Sequence, residues 1–108
     1  MSYGIEWAPV AARDLLEVVE YIASEGRPEA AEHASNRILA RVRSLAMHPR
    51  RSRIVPELKR VGVTEYRDSI VGPYRIFFRV TQRSVGIVGV LDGRRDLEEL
   101  LFQRYAGG

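Results

Sequence analysis

The sequence predicts an α+β fold in which an N-terminal strand and an antiparallel helical hairpin pack on an antiparallel β-sheet, with a short C-terminal helix. Three observations predict it. Two amphipathic periodicities of helical spacing follow each other in the first half, separated by a glycine-proline break. A strict two-residue alternation runs from Tyr74 to Val80. An apolar, β-branched run from Val85 to Leu91 is too short for a buried helix and reads as a strand covered on both faces, which makes it the expected central strand. The order strand, helix, helix, then a run of strands and a terminal helix indicates an antiparallel sheet packed against a helical hairpin.

Each element has a local reason. Tyr3, Ile5 and Trp7 share one face of a short opening strand. Pro9 suits the first turn of a helix, where its missing N–H has no partner to lose. Ala8, Ala11, Ala12, Leu15, Val18, Val19 and Ile22 then recur at helical spacing, opposite Arg13, Glu17 and Glu20. The helix stops near Ser24 to Pro28. A second helix runs from about Pro28 to about His48 on the stripe Ala31, Ala34, Ile38, Val42 and Leu45, and Pro49 closes it. The short connection makes the two an antiparallel hairpin.

Beyond the loop Pro49 to Arg53, the proline in Ile54-Val55-Pro56-Glu57-Leu58 argues for an edge or irregular extended segment. Tyr66 to Val71 is the next strand, ended by Gly72-Pro73. In the following strand Tyr74, Ile76, Phe78 and Val80 point one way, to pack on the helices, and Arg75, Phe77 and Arg79 point the other way, offering arginines. Thr81 to Ser84 turns the chain into the apolar run. Asp92-Gly93 is a turn pair, and Asp96 stands as an N-cap with Glu99 three residues on, as in a capping box. Leu97, Leu100 and Leu101 suggest a last helix to about Tyr105 that docks loosely, with Gly107 and Gly108 fraying.

A chain of 108 residues fits one domain, residues 1–108, with one modest core. Its 45% hydrophobic and 29% charged content is that of an ordinary globular domain. Without cysteine it has neither disulfides nor thiolate metal sites. No metal-ligand spacing or glycine-rich phosphate loop is present, so no cofactor is expected. No signal-peptide pattern and no membrane-length apolar stretch occur, which makes the cytoplasm the expected location.

The net charge of +3 conceals a strong asymmetry. Seven acids lie between Met1 and Glu32 against Arg13 and Arg27, whereas Arg37, Arg41, Arg43, Arg50, Arg51, Arg53, Lys59 and Arg60 face only Glu57. Sixteen of the 17 basic residues are arginine, whose planar fork suits bidentate contacts with carboxylate or phosphate. Arg94 and Arg95, following the apolar strand and its turn, stand at the end of a rigid element where such a fork could meet an anion. The plainer reading is that they pair with acids on a neighbouring helix.

Pro56-Glu57-Leu58, Gly72-Pro73-Tyr74-Arg75-Ile76-Phe77-Phe78 and Val90-Leu91-Asp92-Gly93-Arg94-Arg95-Asp96-Leu97, preceded by a hairpin containing Ala12, Asp14-Leu15 and Tyr21-Ile22, resemble the RelE/ParE superfamily of type II toxin-antitoxin toxins. The resemblance covers Tyr3 to Leu101, and the order and spacing of the strings are more specific than any one of them. It implies a small toxin blocked by a cognate antitoxin whose C-terminal segment wraps around it, a partner that an arginine-rich surface suits.

The superfamily divides by target. RelE-like members cleave messenger RNA on the ribosome, with cations placed where negative charge develops and a ring or base near the C-terminus. By that resemblance Arg75 and Arg95 match family arginines and would be catalytic in a ribonuclease. The lysine-bearing strand positions fall at about Tyr66 and Asp68, and the catalytic tyrosine at about Leu101, so those groups do not match. An aspartate at position 68 would repel a phosphate, and Tyr105 and Phe102 would need a register shift to reach the site. His33 and His48 read as surface or end-of-helix residues. The chain therefore resembles the ParE branch more closely, which implies a DNA gyrase poison that blocks replication. Arg75, Arg79, Arg94 and Arg95 would then bind target or antitoxin, and the ribosome-dependent ribonuclease is the alternative.

Overall fold

The structure, a computed structural model, describes residues 2–107. Strand β1 (Gly4–Trp7) leads into helices α1 (Pro9–Ser24) and α2 (Pro28–Ser44). A 3-10 turn at Pro49–Arg51 precedes β2 (Arg53–Ile54) and the single helical turn α3 (Pro56–Lys59). Then come β3 (Tyr66–Val71), β4 (Tyr74–Val80), β5 (Ser84–Asp92) and α4 (Glu98–Leu101), which continues as a wider π-helical turn over Phe102–Ala106.

The expected α+β architecture is present, with the bounds of β3 and β4 where the alternation puts them. The five strands lie in the order β1-β5-β4-β3-β2. The N-terminal strand joins the sheet rather than lying on it, pairing parallel to β5 from Gly4 opposite Ser84 to Trp7 opposite Ile87. The hairpin and three strands between them supply far more chain than the crossover a parallel pair requires. One correction concerns the centre: β4, not β5, is the middle strand. Both are interior, and an apolar run does not distinguish one interior strand from another.

A β-bulge shapes β5. Phe77 pairs with Gly89 but Phe78 pairs with Ile87, which leaves Val88 as an extra residue. An extra residue reverses the alternation downstream. Val85 and Ile87 therefore face the helices before the bulge, and Val90 does so after it, while Leu91 turns to the opposite side.

Each sheet face carries its own core. On the hairpin side Ala11, Ile38 and Val42 pack against Ile76, Phe78, Val85 and Ile87, with Tyr3, Ile5 and Trp7 at the margin as their shared face requires. Gly26, at φ 76°, supplies the left-handed residue that ends α1 and reverses the chain into α2. On the other side Val55, Leu58, Phe77, Leu91, Leu97 and Leu101 form a second, smaller core. Pro56 thus starts a helical turn instead of an extended segment, because Leu58 reaches this core only from a turn.

The expectation of loose C-terminal docking is also corrected, since Leu97 and Leu101 are almost wholly inaccessible. Burial of side chains of that size stabilises by roughly 1.5–3 kcal/mol each. Asp96 accepts a hydrogen bond from the Glu98 amide at 3.2 Å, one residue ahead of the position expected for a cap, and Glu99 does not close a capping box. Gly107 is tied by its amide to the Phe102 carbonyl at 2.7 Å rather than frayed, and Gly108 lies outside the described residues. Among the described residues, no helix is long and apolar enough to cross a membrane.

Candidate functional site

Arg75 is the residue whose surroundings differ most from the sequence expectation. It points to the non-helical side of the sheet, as the alternation requires, yet only 10% of its side chain is accessible. Its Nε donates to Asp68 Oδ2 at 2.7 Å, and its two terminal nitrogens donate to the two carboxylate oxygens of Glu57 at 2.7 and 2.9 Å. Asp68, on β3, also receives Arg53 from β2 through contacts of 2.8 and 3.0 Å. Two carboxylates and two guanidinium groups thus neutralise each other on three strands and α3. The bidentate bond from Arg75 holds the Glu57 carboxyl down at about 2, and the same pairing raises Arg75 above the ordinary arginine value. The expectation that this face offers arginines is therefore corrected for Arg75 and holds for Arg79. The latter is exposed, with its guanidinium 5.4 Å above the Tyr66 ring and a loose 3.8 Å contact to Glu65.

Tyr105 reaches the same face. Its ring stacks on Tyr66 at 4.8 Å between centroids and lies 6.2 Å from Phe77, beneath which Arg75 makes a cation–π contact at 4.9 Å. The hydroxyl donates to the Val88 carbonyl at 2.6 Å, the group released by the bulge. Burial raises the Tyr105 pKa, which keeps the phenol protonated. Gly89 makes this approach possible, because a Cβ there would lie 2.5 Å from the Tyr105 hydroxyl. The position matched to the catalytic tyrosine, Leu101, is wholly buried in the second core.

Arg94 and Arg95 sit past the end of β5. Arg94 folds back on its own turn, donating Nε to Asp92 Oδ1 at 3.0 Å and Nη2 to Oδ2 at 2.7 Å, while its amide also caps Oδ1 at 2.9 Å. That contact holds the Asp92 carboxyl below its usual range. Its partner is therefore local rather than on a neighbouring helix. Arg95 is exposed and has no carboxylate partner among the described residues. Gly93 links this turn to Arg75: its amide donates to the Pro73 carbonyl at 2.7 Å, and a Cβ on it would meet the Arg75 side chain at 2.9 Å. The turn that carries Arg94 and Arg95 thus packs closely on the buried stem of Arg75.

An open cleft of about 970 Å³ lies between the hairpin and this end of the sheet. Tyr21, Arg27, His33, Tyr74, Arg94 and Arg95 are among its walls. Arg95 faces the cleft and Arg75 faces the second core, so the two arginines do not converge in one pocket. His33 is exposed on α2, and His48 borders a separate shallow recess with Arg50 and Arg51. Among the described residues, no three His, Asp or Glu side chains gather as a metal would require.

Asp14 and Arg104 escaped the reading of the sequence. Asp14 is buried on α1, accepting from the Val90 amide at 3.0 Å and from both terminal nitrogens of Arg104 at 2.7 and 2.9 Å. A signal existed: position 14 lies on the stripe of Ala11, Leu15, Val18 and Ile22, and a charge on a core face requires a partner. What partner it finds is a tertiary matter.

The family model described as ParE toxin of type II toxin-antitoxin system, parDE, matches residues 5–97. Among solved structures the chain is similar to one from the chromosomal ParDE TA system of P. aeruginosa, with 22% identity, a TM-score of 0.68, and coverage of 82% of this chain and 94% of that one. It is also similar to a chain of the toxin-antitoxin complex RelBE2 from Mycobacterium tuberculosis, with 19% identity, a TM-score of 0.55, and coverage of 83% and 96%. At these identities the likeness is one of fold. No curated protein sequence matches.

Proposed function

Because this chain belongs to the ParE toxin family of type II toxin-antitoxin systems, we propose that it poisons DNA gyrase, holding the enzyme on cleaved DNA, and that a cognate antitoxin neutralises it. Residues 1–108 act as a single toxin domain in the cytoplasm, as a binding module rather than a nuclease. One observation carries the reading: the Arg75 fork is consumed by Glu57 and Asp68. Phosphodiester cleavage needs a cation offered to the developing charge and a group free to move a proton. On this face Arg75 is already neutralised, Arg79 lies exposed over Tyr66, and the Tyr105 hydroxyl, the nearby group that could move a proton, is committed to the Val88 carbonyl. Arg75 instead packs closely against the Gly93 turn.

Arg79, Arg94 and Arg95 remain as exposed contacts for target or antitoxin. The cleft beside Arg94 and Arg95, with the Tyr21 ring 65% exposed, also carries Arg27 and Arg37 together with Glu17 and Glu25 of the first helix and its end, so it offers charge of both signs and apolar surface. That combination suits an amphipathic acidic segment such as an antitoxin tail. The test is a paired assay with purified toxin. Inhibition of gyrase supercoiling with accumulation of cleaved DNA supports the proposal. Ribosome-dependent cuts in a messenger with gyrase unaffected would reject it in favour of the RelE-like ribonuclease.

A further inference from the structure

The basic segment of the chain is folded into a row that starts at the wall of the cleft, with Arg37, and leads away from it. Arg37 and Arg41 are one helical turn apart on α2 and hang over β3. The Arg37 guanidinium lies beside Gly72, and Arg41 donates to Ser69 Oγ at 2.9 Å and to the Ile70 carbonyl at 2.8 Å. Next along β3, Arg67 donates to the carbonyls of Ser52 at 2.6 Å and Arg50 at 3.2 Å, pinning the 3-10 turn that exposes Arg50 and Arg51. The backbone positions these side chains start from or touch, Gly72 just past β3, Ser69 with Ile70, and Arg67, are two to three residues apart, roughly 7–10 Å at about 3.3 Å per residue.

The charge of this row is uncompensated. Arg41 and Arg67 donate to neutral oxygens only, and among the described residues none of Arg37, Arg41, Arg50, Arg51 and Arg67 forms an ion pair. Of the carboxylates near these arginines in the sequence, Glu57 and Asp68 are used up by Arg75 and Arg53, and Glu65 makes a loose contact to Arg79. Each guanidinium that donates through one nitrogen keeps further N–H groups for an outside acceptor.

We infer that this row, running from Arg37 through Arg41 and Arg67 to Arg50 and Arg51, is a binding surface for the phosphate backbone of double-stranded DNA. Arginine forks without carboxylate partners, two of them fixed by hydrogen bonds to the chain, are suited to backbone phosphates and carry no base readout. Single-stranded nucleic acid would need exposed rings for stacking. The rings of Tyr66 and Phe77 lie on the opposite face under Tyr105, the most exposed ring, Tyr21, belongs to the cleft, and Tyr3, in the recess with Arg50 and Arg51, is partly buried against the first core. An acidic protein segment would need apolar anchors beside its charges; the cleft offers them along its length, whereas the row has exposed Met47 at its Arg50–Arg51 end, so poly-glutamate is the control that separates the two. The inference goes beyond the gyrase reading and does not depend on it.

The experiment is fluorescence anisotropy of a labelled duplex of arbitrary sequence titrated with the full-length toxin, without gyrase, at salt from about 50 to 200 mM. Sequence-independent binding is expected, with log K falling linearly with log salt. Arg37→Ala and Arg50→Ala each lower the steepness of that line by about 0.9, the value for one phosphate contact. Arg13→Ala, which removes the same charge from α1, leaves it unchanged, and circular dichroism confirms that each variant is folded. Absence of duplex binding at the lowest salt, a slope indifferent to Arg37 and Arg50, or poly-glutamate bound as tightly as the duplex would overturn the inference. A toxin that binds duplex through these arginines yet leaves gyrase untouched would reject the gyrase proposal and keep this one.

Discussion

Asp14 and Arg104, 90 positions apart, meet through two hydrogen bonds of 2.7 and 2.9 Å and join the first helix to the C-terminal turn across the end of β1. β1 stops opposite Ile87, so the Val90 amide has no strand neighbour on that side, and Asp14 accepts from it. One carboxylate thereby satisfies a buried amide and anchors the segment that carries Tyr105 over the sheet.

Arg104→Ala leaves the buried Asp14 charge with the Val90 amide alone. A loss of about 3 kcal/mol is expected, at the lower end for breaking a buried pair because Arg104 retains some exposure. Adding Asp14→Asn removes the stranded charge while keeping an acceptor for Val90. The double variant should therefore be more stable than Arg104→Ala alone in urea unfolding.

Gly89→Ala drives a methyl group into the Tyr105 hydroxyl and should cost about 2 kcal/mol through overpacking. Tyr105→Phe removes the atom that clashes. The pair should show strong non-additivity in a double-mutant cycle of thermal unfolding.

Acid should weaken the protein through Glu57. Its folded-state pKa of about 2 lies below the ordinary 4.5, so the stabilisation is complete above about pH 4.5 and is lost as pH falls towards 2. Its size is on the order of 2 kcal/mol once screening at the partly open end is allowed for. Glu57→Gln should flatten the decline of melting temperature across that window, and an equally steep decline in the variant would contradict the assignment.

Arg75→Ala and Arg95→Ala should separate structure from binding. The first strands Glu57 and leaves the buried Asp68 with Arg53 alone, and should cost about 3 kcal/mol. The second removes an exposed, unpaired side chain, so stability should stay within about 0.5 kcal/mol while toxicity in cells falls. A large stability loss in Arg95→Ala, with unchanged binding of target, would assign Arg95 to the fold instead.

Patterning made most of the architecture legible. The hairpin, β3, β4 and the Asp92-Gly93 turn follow from spacing alone, because helical and strand periodicities are local properties of the chain. The arginine asymmetry was legible as composition but not as place. That Arg37 and Arg41 align with Arg67 along β3 depends on how α2 crosses the sheet, which no spacing encodes.

The sequence by itself determined the elements, the main core stripe and an excess of cations without acids near them in the chain. Only the tertiary structure decided which charges were spent. Arg75 reads as an outward cation until α3 delivers Glu57 and β3 delivers Asp68. Asp14 reads as a charge on a core face with no visible partner until the C-terminus brings Arg104. Likewise, the run from Val85 to Leu91 gives no sign of the extra residue at Val88 that re-aims its second half. The physical reason is common to all three: a side chain's free energy is set by its neighbours in space, and long-range pairings of single groups leave no periodic trace in the chain.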